Sequence, residues 1–302
     1  MAGGGFLHRL RSFVSSYLPF MGESPPDSLP HAVFQDERSR LGVVQWKDSL
    51  EWAAKGDSQA DQIHNCFLVS AEYRKSNSGK QHEFLHLHIQ HRPSQSSIYA
   101  IVERLRPITT DSTESLTSEY SSSSISENSS TRDLALVSTS ASDRVAHDQV
   151  YFTRSPAIPW KDHRLLLSMN FPDVARQPPV LDLAFILAFV HEHSDLYKIF
   201  SKQCFWYAAV VWGTLKEEFG GQETVVANEC GVHWGIRWVN EDQKMAAVTS
   251  TRAGYNTALQ TFRQEIAAKQ QERVAYQNKI SEQAQTIANL ERELALIKQS
   301  HR

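Results

Sequence analysis

QHEFLHLHIQH (81–91) alternates strictly, with Glu83, Leu85, Leu87 and Ile89 on one side of an extended chain and His82, Phe84, His86 and His88 on the other. The aliphatic side reads as a core face, so this is a half-buried β-strand. Runs of the same texture flank it: NCFLVSAEY (65–73) before, and SSIYAIVERL (96–105) after. RKSNSGK and HRPSQS, which carry turn chemistry, separate the three runs. The reading is three sequential antiparallel strands. Ahead of them, Trp46, Leu50 and Ala53/Ala54 share one helical face over 46–55.

Downstream, QVYFTR (149–154) reads as a strand and RLLLSMNF (164–171) as a further element. PPVLDLAFILAFVHEHS (178–194) predicts a helix beginning after the proline pair and apolar on nearly all sides, as a helix inside a domain must be. A second helix is expected over about 202–219. Ser201 is placed to cap it and Gly220-Gly221 to end it, with Phe205, Ala208, Trp212, Leu215 and Phe219 forming its buried stripe. GVHWGIRWV (231–239) alternates again and predicts one strand with Val232, Trp234, Ile236 and Trp238 on a common face.

The segment 109–142 is dominated by Ser and Thr and cannot bury enough apolar surface to offset its ordering entropy, so it reads as a disordered insertion. Residues 1–22 carry Arg9 and Arg11, no acidic residue, and Phe6, Leu10, Phe13 and Tyr17 at helical spacing. That pattern suits an amphipathic helix, a mitochondrial presequence or peripheral membrane contact through 6–21. Proline-rich 23–42 reads as a linker. A heptad frame runs from Leu259 to Ile297, with a positions at Leu259, Ile266, Arg273, Ile280, Ile287 and Leu294 and d positions at Phe262, Lys269, Tyr276, Gln283, Leu290 and Ile297. The expected architecture is α+β: an antiparallel sheet with packed helices over 43–250, interrupted by 109–142, and a coiled coil over 251–302. Self-association, or pairing with another coiled-coil protein, is expected through 259–297.

Composition narrows the function. A net charge of -3 from 31 basic and 34 acidic residues offers no basic excess for nucleic acid. Three widely spaced cysteines, Cys66, Cys204 and Cys230, form neither a disulfide framework nor a zinc ribbon, and point to a reducing, intracellular and most simply cytoplasmic setting. The His86/His88 and His191/His193 pairs have no carboxylate or cysteine at a recognised metal spacing, so no cofactor or metal is expected.

Cys204 is the residue set apart. It falls in the first turn of the 202–219 helix, where the macrodipole and free N–H groups favour a thiolate. A thiolate nucleophile needs an imidazole, and His82, at the start of its strand, lies nearest a cleft mouth. A histidine opening an early strand, followed much later by an aromatic-flanked cysteine opening a helix (Tyr197 to Cys204), resembles the circularly permuted papain-like proteins. These include the lecithin retinol acyltransferase-like and NlpC/P60-like families of thiol acyltransferases, phospholipases and amidases. The NCEHF signature of the acyltransferase branch reads QCFWY here, with Gln203 in place of Asn. The helix also resembles that of a fungal protein family with a Gln/Asn-Cys-Phe/Tyr-Trp-Tyr sequence. The resemblance implies Cys204 as nucleophile, His82 as base and a polar third group, for which Glu103 and His88 both stand, with Gln203 helping to hold an oxyanion. The expected function is a thiol-dependent hydrolase or acyltransferase; the alternative is a non-catalytic interaction protein that self-associates through its coiled coil. Deleting 109–142 is expected to leave the melting temperature nearly unchanged, because a disordered loop contributes mainly a slowly varying closure entropy. A fall of many degrees in a thermal melt would show a packed segment.

Overall fold

A computed structural model describes residues 29–35, 39–56, 59–77, 81–105, 144–160, 162–193, 196–197, 204–233, 236–237 and 239–300. The expectations for 1–22 and 109–142 lie outside these residues, as do the Ser201 cap and Gln203.

The three runs around Gln81 form the centre of a seven-stranded antiparallel sheet. β2 (Cys66–Ser76), β3 (Glu83–His91) and β4 (Ser97–Leu105) are a meander. β6 (His147–Thr153) pairs outside β4 and carries β1 (Arg40–Gly42) at its edge; β7 (His163–Asn170) pairs on the other side of β2 and carries β9 (Gln222–Val225). The minor strands β5 (Arg144–Val145) and β8 (Leu196–Tyr197) pair separately. So do β10 (Val232–His233) and β11 (Ile236–Arg237). The single strand expected over 231–239 is therefore two short strands folded back on one another, with Gly235 in the sequence between them.

Leu85 pairs with Val102 and His86 with Ile101, which fixes the two faces of the sheet. Leu85, Leu87, Ile89, Ala100, Val102, Val150 and Phe152 belong to the main core. That core is closed by α1 (Val43–Lys55), α3 (Val180–Glu192), α4 (Cys204–Phe219) and the start of α5 (Glu241–Ser300), with short α2 (Ala60–His64) joining α1 to β2. As its composition requires, α3 is buried all round. On the opposite face Phe84, Ile101 and Tyr151 make a smaller cluster under Ile158 and Trp160.

Two expected boundaries move. Part of the expected linker 23–42 is core, since Ala32, Val33 and Phe34 are buried and the Ala32 carbonyl accepts a hydrogen bond from the Trp46 indole at 3.1 Å. The C-terminal helix begins at Glu241, and Val248, Tyr255, Leu259 and Phe262 are buried against their own domain. Close approach explains the glycines there. A Cβ on Gly254 would lie 1.9 Å from the Phe189 ring of α3, and one on Gly213 would lie 2.7 Å from Val248. The first half of the heptad stripe is thus spent within the chain.

Charged groups inside the core are paired. Arg104 of β4 makes a two-pronged contact with Asp148 of β6 at 2.7 and 2.5 Å, His191 of α3 reaches the same carboxylate at 2.8 Å, and the guanidinium lies 4.8 Å from the Tyr207 ring of α4. One carboxylate thus joins the sheet to α3, while the cation beside it joins the sheet to α4. Asp148→Ala is expected to cost about 3–5 kcal/mol in a denaturant titration, because it removes the buried carboxylate that Arg104 and His191 both contact. A loss below ~1 kcal/mol would mean that water reaches the site.

Asp182, in the first turn of α3, gives a pH prediction. Burial pushes its carboxyl up to about 6 despite Arg263 at 3.2 Å. The native chain then holds a proton that the unfolded chain has released between the ordinary aspartate range and about 6, so this residue's stabilisation is present at low pH and lost as pH rises through that window. Asp182→Asn is expected to raise stability at pH 7 relative to pH 4, on the order of 2 kcal/mol. An equal effect at both pH values would contradict the assignment.

Candidate active site

At one end of the sheet β2 finishes, β3 begins, β4 finishes and β6 begins, so side chains distant in sequence meet there. His82 stands just before β3, after Gln81, whose backbone takes a positive φ of 50°. Its ring stacks 6.2 Å from Phe84 and its Nε2 lies 2.9 Å from Oε2 of Glu103 on β4. The second neighbour of His82 is Cys204, 122 residues further along the chain, whose sulfur acts to raise the basicity of the ring. Cys204 is the first residue of α4 and is buried with Phe205 and Val239. Behind Glu103, Gln149 of β6 donates its amide N–H to Oε1 at 2.7 Å. Glu103 thus bridges His82 and Gln149, with Cys204 beside the imidazole.

The electrostatics follow from that geometry. Burial acts to lower the basicity of His82, but the Cys204 sulfur and the Glu103 carboxylate outweigh it and hold the imidazole well above its usual range. Burial likewise opposes charge on Glu103, while His82 and Gln149 hold it below the usual carboxylate range. Burial pushes both Cys66 and Cys230 up to about 12. All three cysteines are free.

A second buried set lies beside the first and holds α4 in place. The Tyr73 hydroxyl is 2.6 Å from Oε2 of Glu83 and 3.0 Å from the carbonyl of Phe205, the residue after Cys204. Glu83 also accepts the backbone N–H of Gly231 at 3.1 Å and faces Lys75 at 3.3 Å. Lys75 in turn donates to the Val232 carbonyl. Gly231 has a φ of 67°, the left-handed region that glycine enters without strain. Burial pushes the Glu83 carboxyl up and the Tyr73 hydroxyl well above its ordinary value.

Of the expected site residues, Cys204, His82 and Glu103 are brought together. His88 is not: its Nε2 meets Ser97 at 2.9 Å and its ring stacks 4.8 Å from Tyr99, further along the sheet. The two-residue repeat carries each later histidine of β3 further from the strand start. Gln203 lies outside the described residues. Gln149, Tyr73 and Glu83 were not anticipated. Gln149 had a signal only in register, being the residue of β6 opposite Glu103. His86 is tied to Glu72 at 3.0 Å and His191 to Asp148, and among the described residues no group of three metal-ligating side chains converges. Nor is any helix among them long and apolar enough to cross a membrane. An open groove lined by Leu41, Val44 and Trp52 runs along α1 and shares no residue with this site.

No protein-family profile, curated protein or solved structure matches the chain. The reading of the site therefore stands on its own geometry.

Iodoacetamide is expected to alkylate Cys204 near neutral pH, where Cys66 and Cys230 stay unmodified, and His82→Ala to slow that labelling by about tenfold or more. Peptide mass mapping checks both. Equal labelling of all three thiols would contradict the arrangement.

Proposed function

We propose that this chain is a thiol-dependent hydrolase or acyltransferase of the permuted papain-like type, with Cys204 as nucleophile and His82 as acid and base. The observation that carries the proposal is the His82–Glu103 hydrogen bond at 2.9 Å, with the Cys204 sulfur acting on the same imidazole. In the reaction, the Cys204 thiolate adds to an acyl carbonyl. The imidazolium gives its proton to the departing alcohol or amine as the tetrahedral adduct collapses, leaving a thioester on Cys204. His82, now neutral, takes a proton from water or an acceptor hydroxyl or amine, which attacks the thioester and restores the thiolate. The product is a free acid in the first case and a transferred acyl group in the second. With Nε2 engaged by Glu103, Nδ1 is the nitrogen left to serve the sulfur and the leaving group. Glu103 orients the ring and stabilises its charged form, and Gln149 holds Glu103 in turn. The order of residues, histidine before cysteine, supports the permuted reading.

The test uses p-nitrophenyl esters of graded chain length. The chain is expected to release a burst of about one p-nitrophenolate per molecule, with an acyl adduct on Cys204 visible by intact mass. Cys204→Ala should abolish the burst, His82→Ala should slow acylation by about 10²–10⁴-fold, and Glu103→Gln should slow it less. Adducts that form equally well on the Cys204→Ala variant, or none on any thiol, would overturn the proposal.

A further inference from the structure

The structure divides α5 into two halves with different partners. Val248, Tyr255, Leu259 and Phe262 are buried on the domain and Ile266 packs against it, with Lys55–Glu265 at 3.0 Å and Arg252–Glu218 at 2.8 Å clamping the edges. Further on, Tyr276, Ile280, Ile287, Leu290, Leu294 and Ile297 continue the heptad frame but are between 47% and 65% exposed. The polar seam residues Lys269 and Arg273 fall between the two halves. A 60-residue helix is about 90 Å long at 1.5 Å per residue, so its last third projects well past the domain.

We infer that the exposed half of α5 is the interface for a second copy of this chain, joined as a parallel, in-register two-stranded coiled coil over Tyr276 to Ile297. Three observations select this occupant. The first is area. Six half-exposed large side chains on each of two helices would bury roughly 1,000 Å² or more in total, about the threshold for a specific interface. The second is charge. In the parallel register Glu293 at a g position faces Lys298 at the following e position of the other helix, and the pair occurs twice by symmetry. The third is geometry. At 3.6 residues per turn the exposed stripe is rotated about 70° from the docked one, so a partner helix lies along it without meeting the domain head-on. Val274 and Leu296 lie off the seam, at b and c positions.

This interface does not depend on the chemistry at Cys204. Light scattering of the full-length chain at micromolar concentration is expected to give twice the single-chain mass. Ile287→Lys/Leu294→Lys should give the single-chain mass while leaving the rate of Cys204 alkylation unchanged, since both residues are exposed and distant from the domain. In a parallel register an a position faces its own counterpart, so Leu294→Cys should form an interchain disulfide under mild oxidation by diamide. A monomeric full-length chain, or a dimer in which Leu294→Cys fails to cross-link, would overturn the inference. Either result would leave the proposed thiol chemistry untouched.

Discussion

Tyr73 and Glu83 set the position of everything at the working end of this molecule. Both are buried, one near the end of β2 and the other at the start of β3, and a buried carboxylate is tolerated only if its oxygens find donors. Glu83 finds them in the Tyr73 hydroxyl, the Gly231 N–H and the Lys75 ammonium. The same hydroxyl touches the Phe205 carbonyl in the first turn of α4. One network therefore joins two central strands, the 229–232 loop and the helix that carries Cys204.

From that constraint the site follows by register. Strand alternation puts Glu83 with the core and its neighbour His82 on the other parity, where Glu103 and Gln149 line up from β4 and β6. A helix anchored at Phe205 brings the thiol to the side of the imidazole. The Arg104–Asp148–His191 set does the corresponding work deeper in the core, tying the same two strands to α3. The polar networks fix geometry here, while the aliphatic face of the sheet supplies the burial that stabilises the fold.

What could be read in the sequence was what is local. Period-two alternation gave β3 its faces, the all-apolar stretch after Pro178-Pro179 gave α3 its interior place, and the helix expected over about 202–219 is α4. The meeting of His82 with Cys204 had support only in pattern resemblance, and Gln149 and Tyr73 had none, because long-range pairing depends on strand order. The 231–239 stretch misled for a physical reason: its alternation describes two short antiparallel strands as well as one long one, and only Gly235 hints at a reversal. The heptad frame was legible throughout, yet periodicity cannot say whether a stripe meets its own domain or another chain. Burial divides it after Ile266.

The most direct test of the proposed thiolate–imidazolium pair is a ¹⁵N titration of the His82 ring by NMR, in the full-length chain and in Cys204→Ala. In the unaltered chain the ring should remain protonated well above neutral pH, and removal of the sulfur should return its titration towards the usual imidazole range. A His82 that titrates normally in both proteins would mean that Cys204 and His82 share no proton, and the chemistry proposed for them would fall.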